Sequence, residues 1–280
     1  MRRKVSPGEL DLKAICALAL AAGLLLAPDA ARGQDAAARA AQAEFERFRV
    51  ARLPWSWGSA GGPCDEIVGR FCFWHEGSDD RPPPPEPDGV PAARDTLLAR
   101  LDAAAARAPA DGWVLGQRVR YRIEADRARE AAAVAAACGA EPWWCAALEG
   151  AARHAAGEFQ AAERGFDRAL EAMPAATRER WTDLSPILDR DARRVWEGLG
   201  GGGRDAFARR MWWAADPLWS VPGNERRAEH LARHAWDRLQ ANAASAYDVA
   251  WGDDLSELLV RYGWPAGWER VRVFDADIHC

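Results

Sequence analysis

His230 and His234 are four residues apart in a segment with a strong helical pattern, so both imidazoles leave one helix face, and Glu229 precedes the first. Two histidines one turn apart can hold a divalent metal. The zinc-hydrolase order places a glutamate directly after the first histidine, and here Leu231 occupies that position. With Leu231, Ala232 and Ala235 beside them, His230 and His234 read as surface or core histidines. A metal-dependent hydrolase built on them and a carboxylate is the alternative. Asp253 and Asp254 are adjacent carboxylates, but Leu255-Ser256-Glu257 follows, and the group reads as the acidic opening of a turn or short helix. His75-Glu76 and His154 have no partner evident in the sequence. No Gly-x-Ser-x-Gly turn is present, and the Gly200-Gly201-Gly202-Gly203 run lacks the Lys and Ser/Thr of a phosphate loop. No cofactor is expected, and no catalytic residue is assigned.

The polar residues of the C-terminal segment admit two readings. Asn224 can cap the helix that follows it, with Glu225 at the positive helix end, and Glu229–Arg233 has the favourable i, i+4 order. Arg226, Arg227 or Arg233 can pair with Asp216 or Glu229. Such contacts would brace a turn. The alternative gathers Asp216, Asn224, Glu225, Glu229 and Arg233, with Asp254 and Arg261, into a ligand site.

Tryptophan is abundant, 15 residues against 3 Tyr and 8 Phe. A glycan platform needs exposed, coplanar rings. Trp143-Trp144 and Trp212-Trp213 are adjacent on predicted helices, where neighbours point about 100° apart, so neither pair presents both rings to one ligand face. One ring of each pair is expected in the core and the other as a bridge to the next element. Of the 37 basic residues only Lys4 and Lys13 are lysines, so arginine supplies every other Lys/Arg cation, and Arg–Trp stacking is expected. The net charge of −5 leaves no basic excess for phosphates and argues against a nucleic-acid binder.

The elements that position these residues begin with an address. Arg2, Arg3 and Lys4 precede an apolar run over residues 12–27, and Ala31-Arg32-Gly33 offers small residues to a signal peptidase. Residues 1–33 read as an export signal cleaved before Gln34. The rival is an uncleaved anchor, but the run is shorter than the ~20 residues that span a bilayer. No transmembrane segment is expected after cleavage, and the location is periplasmic or secreted. In that oxidising setting Cys64 with Cys72, and Cys138 with Cys145, read as disulfides, leaving Cys280 over.

Residues 34–75 form a Trp-rich, Cys-closed region that opens with a helix over 34–49. Residues 76–91 are a proline-rich linker containing Pro82 to Pro85. From residue 92 the pattern is helical to 199, with Leu97, Leu98, Leu101, Val119, Ile123 and Val134 among the inward candidates. Trp181, Leu184, Ile187, Leu188, Val195 and Trp196 are further core candidates, and Asp183 can cap a helix starting at Ser185-Pro186. The glycine run reads as a boundary before a region over 204–280.

Gly150, Gly157, Phe159, Ala162, Phe166, Ala169 and Pro174 are spaced so that residues 143–176 resemble one tetratricopeptide repeat. Ala146, Glu149 and Arg153 depart from the family pattern. The preceding window, 111–142, keeps only Tyr121, Ala137 and Pro142 in register. The resemblance implies paired antiparallel helices in a short array. The C-terminal region resembles the GWxTD domain of exported bacterial proteins. Asp216-Pro217, Asn224-Glu225, Arg233 and Tyr262-Gly263-Trp264-Pro265 match it, while Trp251-Gly252-Asp253-Asp254 stands where Gly-Trp-x-Thr-Asp belongs. This second resemblance implies no reaction, and it implies strands over 258–262 and 270–274.

The expected fold is mainly α: a short tetratricopeptide-like helical-hairpin array with a small C-terminal α+β region. The expected function is that of an exported, non-catalytic scaffold that binds a protein partner in the groove of the array. A glycan or small-ligand module using the Trp clusters is the first alternative, and the metal-dependent hydrolase the second.

Overall fold

The structure, a computed structural model, describes residues 27–59, 64–73 and 84–274. Most of the expected export signal lies outside these residues, as do Gly61, Gly62, Pro63, Trp74, His75, Glu76, Pro82, Pro83 and Cys280. Among the described residues no helix is long and apolar enough to cross a membrane.

Helix α1 (Ala27–Arg52) starts before the expected cleavage point and continues through it, extending past the predicted end at residue 49. Strand β1 (Trp55–Ser59) follows, then the hairpin of β2 (Glu66–Val68) and β3 (Phe71–Phe73). Gly69 turns this hairpin at φ 53°, and the Cys64–Cys72 disulfide closes it. Helix α2 (Val90–Arg107) begins inside the segment expected to be linker. Pro91 is no obstacle in the first helical turn, whose N–H groups have no intrahelical acceptor, and Gly89 at φ 82° supplies the left-handed residue before it.

Two helical hairpins follow. Helix α3 (Gly112–Ile123) is capped by Asp111, whose carboxylate accepts from the Trp113 and Val114 amides, and it is joined to α4 (Ala128–Ala136). The second hairpin is α5 (Pro142–Ala155) and α6 (Phe159–Ala172), fastened to the first by the Cys138–Cys145 disulfide. In α5–α6 the backbones approach closely. A Cβ on Gly165 would lie 3.0 Å from Gly150, and one on Gly150 would lie 2.9 Å from the Phe166 ring. Ala162, Phe166 and Ala169 fill the space and are fully buried.

Helix α7 (Ala175–Thr182), a 3₁₀ turn (Ser185–Ile187), α8 (Arg190–Gly198) and α9 (Gly201–Ala215) continue the chain. Trp181, Leu184 and Trp196 are buried as expected, but Val195 is 54 % exposed. Helix α8 touches the body through Trp196, and its immediate neighbour faces away. Gly200 lies with Leu199 in the break between α8 and α9, and the next three glycines form the first turn of α9.

Helix α10 (Glu225–Gln240) carries an apolar stripe of Ala228, Leu231, Ala232, Ala235 and Leu239, buried in one cluster with Ala147, Leu148 and Ala151 of α5 and Phe166 of α6. A Cβ on Gly116 of α3 would collide with Leu239. Helix α10 therefore covers one face of α3 and α5. A second cluster joins α1, α2 and α3 through Phe45, Val90, Leu101 and Val114.

Residues 258–262, expected as a strand, form the end of helix α11 (Asp253–Tyr262). The i, i+4 pair Leu255 and Leu259 is buried, and Asp253 and Asp254 favour the positive helix start, so the helical period overrides the β-favouring Leu-Leu-Val run. Strand β4 (Arg270–Phe274) forms as expected, but its neighbour is β1, in parallel, with Trp55 opposite Arg270. The fold is thus mainly α, a helical-hairpin array with a small amount of β structure.

A buried ionic cluster links α1 to α3 and to the loop after α10. Arg120 bonds Glu46 at 2.9 Å and Glu124 at 2.8 Å, and Arg49 pairs with Glu124. Tyr121 donates to Glu46 at 2.6 Å, and Gln42 donates to Tyr121 and to the Ala244 carbonyl. Burial favours a neutral Glu124, yet Arg49 and Arg120 outweigh it and hold its pKa at about 2. Removing one partner of such a buried pair costs roughly 3–5 kcal/mol, because the other charge stays buried. We expect Arg120→Met to lose that much stability in urea unfolding, and Arg120→Met combined with Glu46→Gln to recover part of it. A loss below about 1 kcal/mol for the single variant would show that the cluster is solvated.

Candidate functional site

The seven polar residues singled out above do not meet at one place. Asn224 accepts the Arg227 amide at 2.7 Å, capping α10, and its side-chain amide donates to the Trp212 carbonyl at 2.6 Å, binding the end of α9. Asp216 accepts the Leu218 amide at 3.2 Å. Glu225 is buried beside Asp216, and burial followed by that second carboxylate raises its pKa. Arg233 pairs with Glu229 and donates to the last carbonyls of α11, Val260 at 3.0 Å and Arg261 at 2.7 Å. Gly263 at φ 96° lets the chain turn under that guanidinium. Asp254 pairs with Arg70, and Arg261 with Glu66, so α11 holds the β2–β3 hairpin. The contacts of Asn224, Arg233, Asp254 and Arg261 each brace one element against another, while that of Asp216 is local.

The tryptophans show the expected arginine partners. Arg39 lies 4.3 Å from the Trp113 ring centre, Arg238 lies 4.5 Å from Trp143 and 4.8 Å from Trp144, and Arg204 lies 5.2 Å from Trp196. These are cation–π distances. Trp143 and Trp144 are both buried, and Trp144 bridges to α3 by donating to the Gly112 carbonyl at 3.0 Å. The other adjacent pair departs from expectation: Trp212 is half-buried, whereas Trp213 is 67 % exposed and meets the equally exposed Trp219 at 5.3 Å.

His230 and His234 project from the same face of α10, with ring centres 4.8 Å apart and edge to face. Trp181 stacks on His234 at 5.6 Å, and Trp212 lies 5.3 Å from His230. Among the described residues no third His, Cys, Asp or Glu joins them in a group able to hold a metal ion. His230 instead lines a cavity of about 820 Å³ bounded by α7, the 3₁₀ turn, α8, α9 and α10. Trp181, Trp196 and Trp212 contribute to its walls, and Arg204, Asp183 and Ser185 face it. The volume is within the range of small-molecule sites.

Hydrogen bonding within the cavity is uneven. Asp183 accepts from the Trp196 indole at 2.9 Å, from the Ser185 amide at 3.1 Å and from the Ser185 hydroxyl at 2.6 Å. Burial raises its pKa, but the Ser185 and Trp196 bonds and the Arg204 charge prevail and lower it. His230 is only 5 % exposed, and neither ring nitrogen completes a hydrogen bond among the described residues, although the Trp181 backbone lies nearby. The Arg204 Nε is likewise buried and unpartnered. The Ser185 proton points to Asp183 and not to an imidazole, so the cavity contains no activated nucleophile–base pair of the Ser–His kind.

No protein-family model, curated protein or solved structure matches this chain. The cavity as a whole was not legible in the sequence: Trp181 and Trp196 read there as core, Trp212 as one of an adjacent pair, and Arg204 carried no signal. The Asp183 capping pattern and the His230–His234 pair each pointed to part of it.

Burial, followed by the Arg233 charge, depresses the His230 pKa to about 4, and burial followed by His230 and Arg180 depresses that of His234. Asp183 opposes the fall at His230, and Arg227 adds to it. The folded state keeps both rings neutral while the unfolded chain takes up protons below its ordinary histidine pKa of about 6.5. Stability is therefore complete above about pH 6.5 and is lost as pH falls toward 4, by roughly 3 kcal/mol from His230. Urea midpoints measured from pH 7 to pH 4.5 should fall, and His230→Gln should flatten the fall; an unchanged slope would place His230 outside the buried, neutral state.

Proposed function

We propose that this is an exported, non-catalytic binding protein that takes a small ligand into the cavity between α7–α9 and α10. The single observation that carries the reading is a buried imidazole, unpartnered at both nitrogens, facing a Trp-walled cavity of about 820 Å³. A buried polar group without a partner costs about 1–3 kcal/mol, and a ligand that bonds to it recovers that cost on binding. Export is supported by the basic-apolar-small N-terminus and by two disulfides. The helical hairpins, in this reading, are a divergent tetratricopeptide-like array, and a GWxTD-like region supplies α10 and the floor of the cavity.

The scaffold reading survives with a different surface. Helix α10 packs on one face of the array, which turns attention to surfaces it leaves open. The exposed apolar ridge of Trp213, Leu218, Trp219 and Val221 favours a protein partner beside the cavity as the second reading.

Screening small aromatic and saccharide compounds by NMR, observing the His230 imidazole and the Trp212 indole, tests the primary reading. Compounds that bind should move both signals, and Trp212→Ala should weaken them at least tenfold. Hits that leave both signals unmoved and map to another surface would refute it.

A further inference from the structure

The geometry points to a ligand that carries one carboxylate on an apolar or aromatic body, with the carboxylate seated between Arg204 and His230. This rests on the cavity being the ligand site. Two polar groups in the cavity wall lack partners, the Arg204 Nε and the His230 ring. Arg204 can only donate, and its guanidinium is held over the Trp196 ring at 5.2 Å. The neutral imidazole donates from one nitrogen. An acceptor placed between the two residues therefore satisfies the Arg204 Nε and the imidazole N–H, while the other ring nitrogen accepts.

Asp183 does not supply it. Its oxygens already receive the Trp196 indole and the Ser185 amide and hydroxyl. A carboxylate has two acceptor oxygens, one for each donor, and hydrogen bonds to a charged group are the stronger kind. The indole walls, with Trp212 half-buried, suit an apolar or aromatic remainder.

The rim narrows the class further. Glu179, Glu197 and Asp205 are exposed around the opening, offset by the exposed Arg180 and Arg209. The rim is net negative by one charge, which a single negative charge meets at the smallest cost on its way to Arg204. A dianion meets twice the net repulsion that a monoanion does, and of the two inner cations Arg227 is already paired with Glu163 and Asp167, which leaves Arg204 for the ligand. The site therefore favours a monocarboxylate over a phosphate monoester.

The test uses the full chain at pH 7 and three probes of one shape: 3-phenylpropanoate, its neutral amide, and 2-phenylethyl phosphate. Affinity is read by calorimetry and location by the His230 and Trp212 NMR signals. The carboxylate should move both signals and bind at least tenfold more tightly than the amide and than the phosphate. Arg204→Gln should remove the preference for the carboxylate over the amide. Equal affinity for carboxylate and amide at this site, or a preference for the phosphate, would overturn the carboxylate inference and leave the cavity reading intact. If none of the three probes moves His230 or Trp212, the cavity reading falls and the inference with it. The comparison of probes on the unaltered protein needs no variant to fold.

Discussion

Burial of one face of α10 is the constraint on which the other elements depend. Ala228, Ala232 and Ala235 let this helix approach α5 and α6 closely, while Leu231 and Leu239 fill the remaining space. Full burial of each leucine contributes about 1.5–3 kcal/mol, and the small residues permit the contact that makes it possible. With the helix seated, its polar residues are placed for other tasks. Asn224 holds the end of α9, Arg233 terminates α11, and the Leu239 carbonyl receives Gln117 from α3 at 2.9 Å. The same placement turns His230 into the cavity and stacks His234 on Trp181.

Charge is distributed to suit this packing. Arg49, Arg120, Glu46 and Glu124 form a balanced set in the interior, so the cost of burying ions is met by close pairing rather than by water. Arginine makes this possible, since its planar fork bonds two acceptors at once while its face lies on an aromatic ring: Arg120 bonds Glu46 and Glu124 and lies 4.6 Å from Tyr121. Pairing in the cavity is less even. Every oxygen of Asp183 is engaged there, while His230 and the Nε of Arg204 are not.

Local features were legible in the sequence because their partners are near in the chain. The disulfides, the Asn224 cap and the inward leucines of α2 all belong to this class. Gly150 and Phe166 also announce themselves, since a helix pair that approaches on glycine leaves room for one ring. What failed has a common cause. The Leu-Leu-Val run of α11 favours a strand locally, but burial of Leu255 with Leu259 selects the helix. Strand β4 was recognisable as a strand, whereas its pairing with β1 at the other end of the chain leaves no local mark. The cavity is of the same kind: Trp181, Trp196, Arg204 and His230 converge only after α10 has docked, and each alone reads as core or surface.

Amide hydrogen exchange on the intact protein tests the dependence on α10 most directly. If the helix is an integral wall of both the array and the cavity, the amides of Ala228, Leu231, Ala232 and Ala235 should open with the same free energy as those of α5 and α6, in one cooperative unit. Exchange of α10 at much lower protection, with α5 and α6 still closed, would show a helix that detaches from a self-sufficient array. That result would contradict the account of the fold given by its packing and would reopen the face that α10 covers.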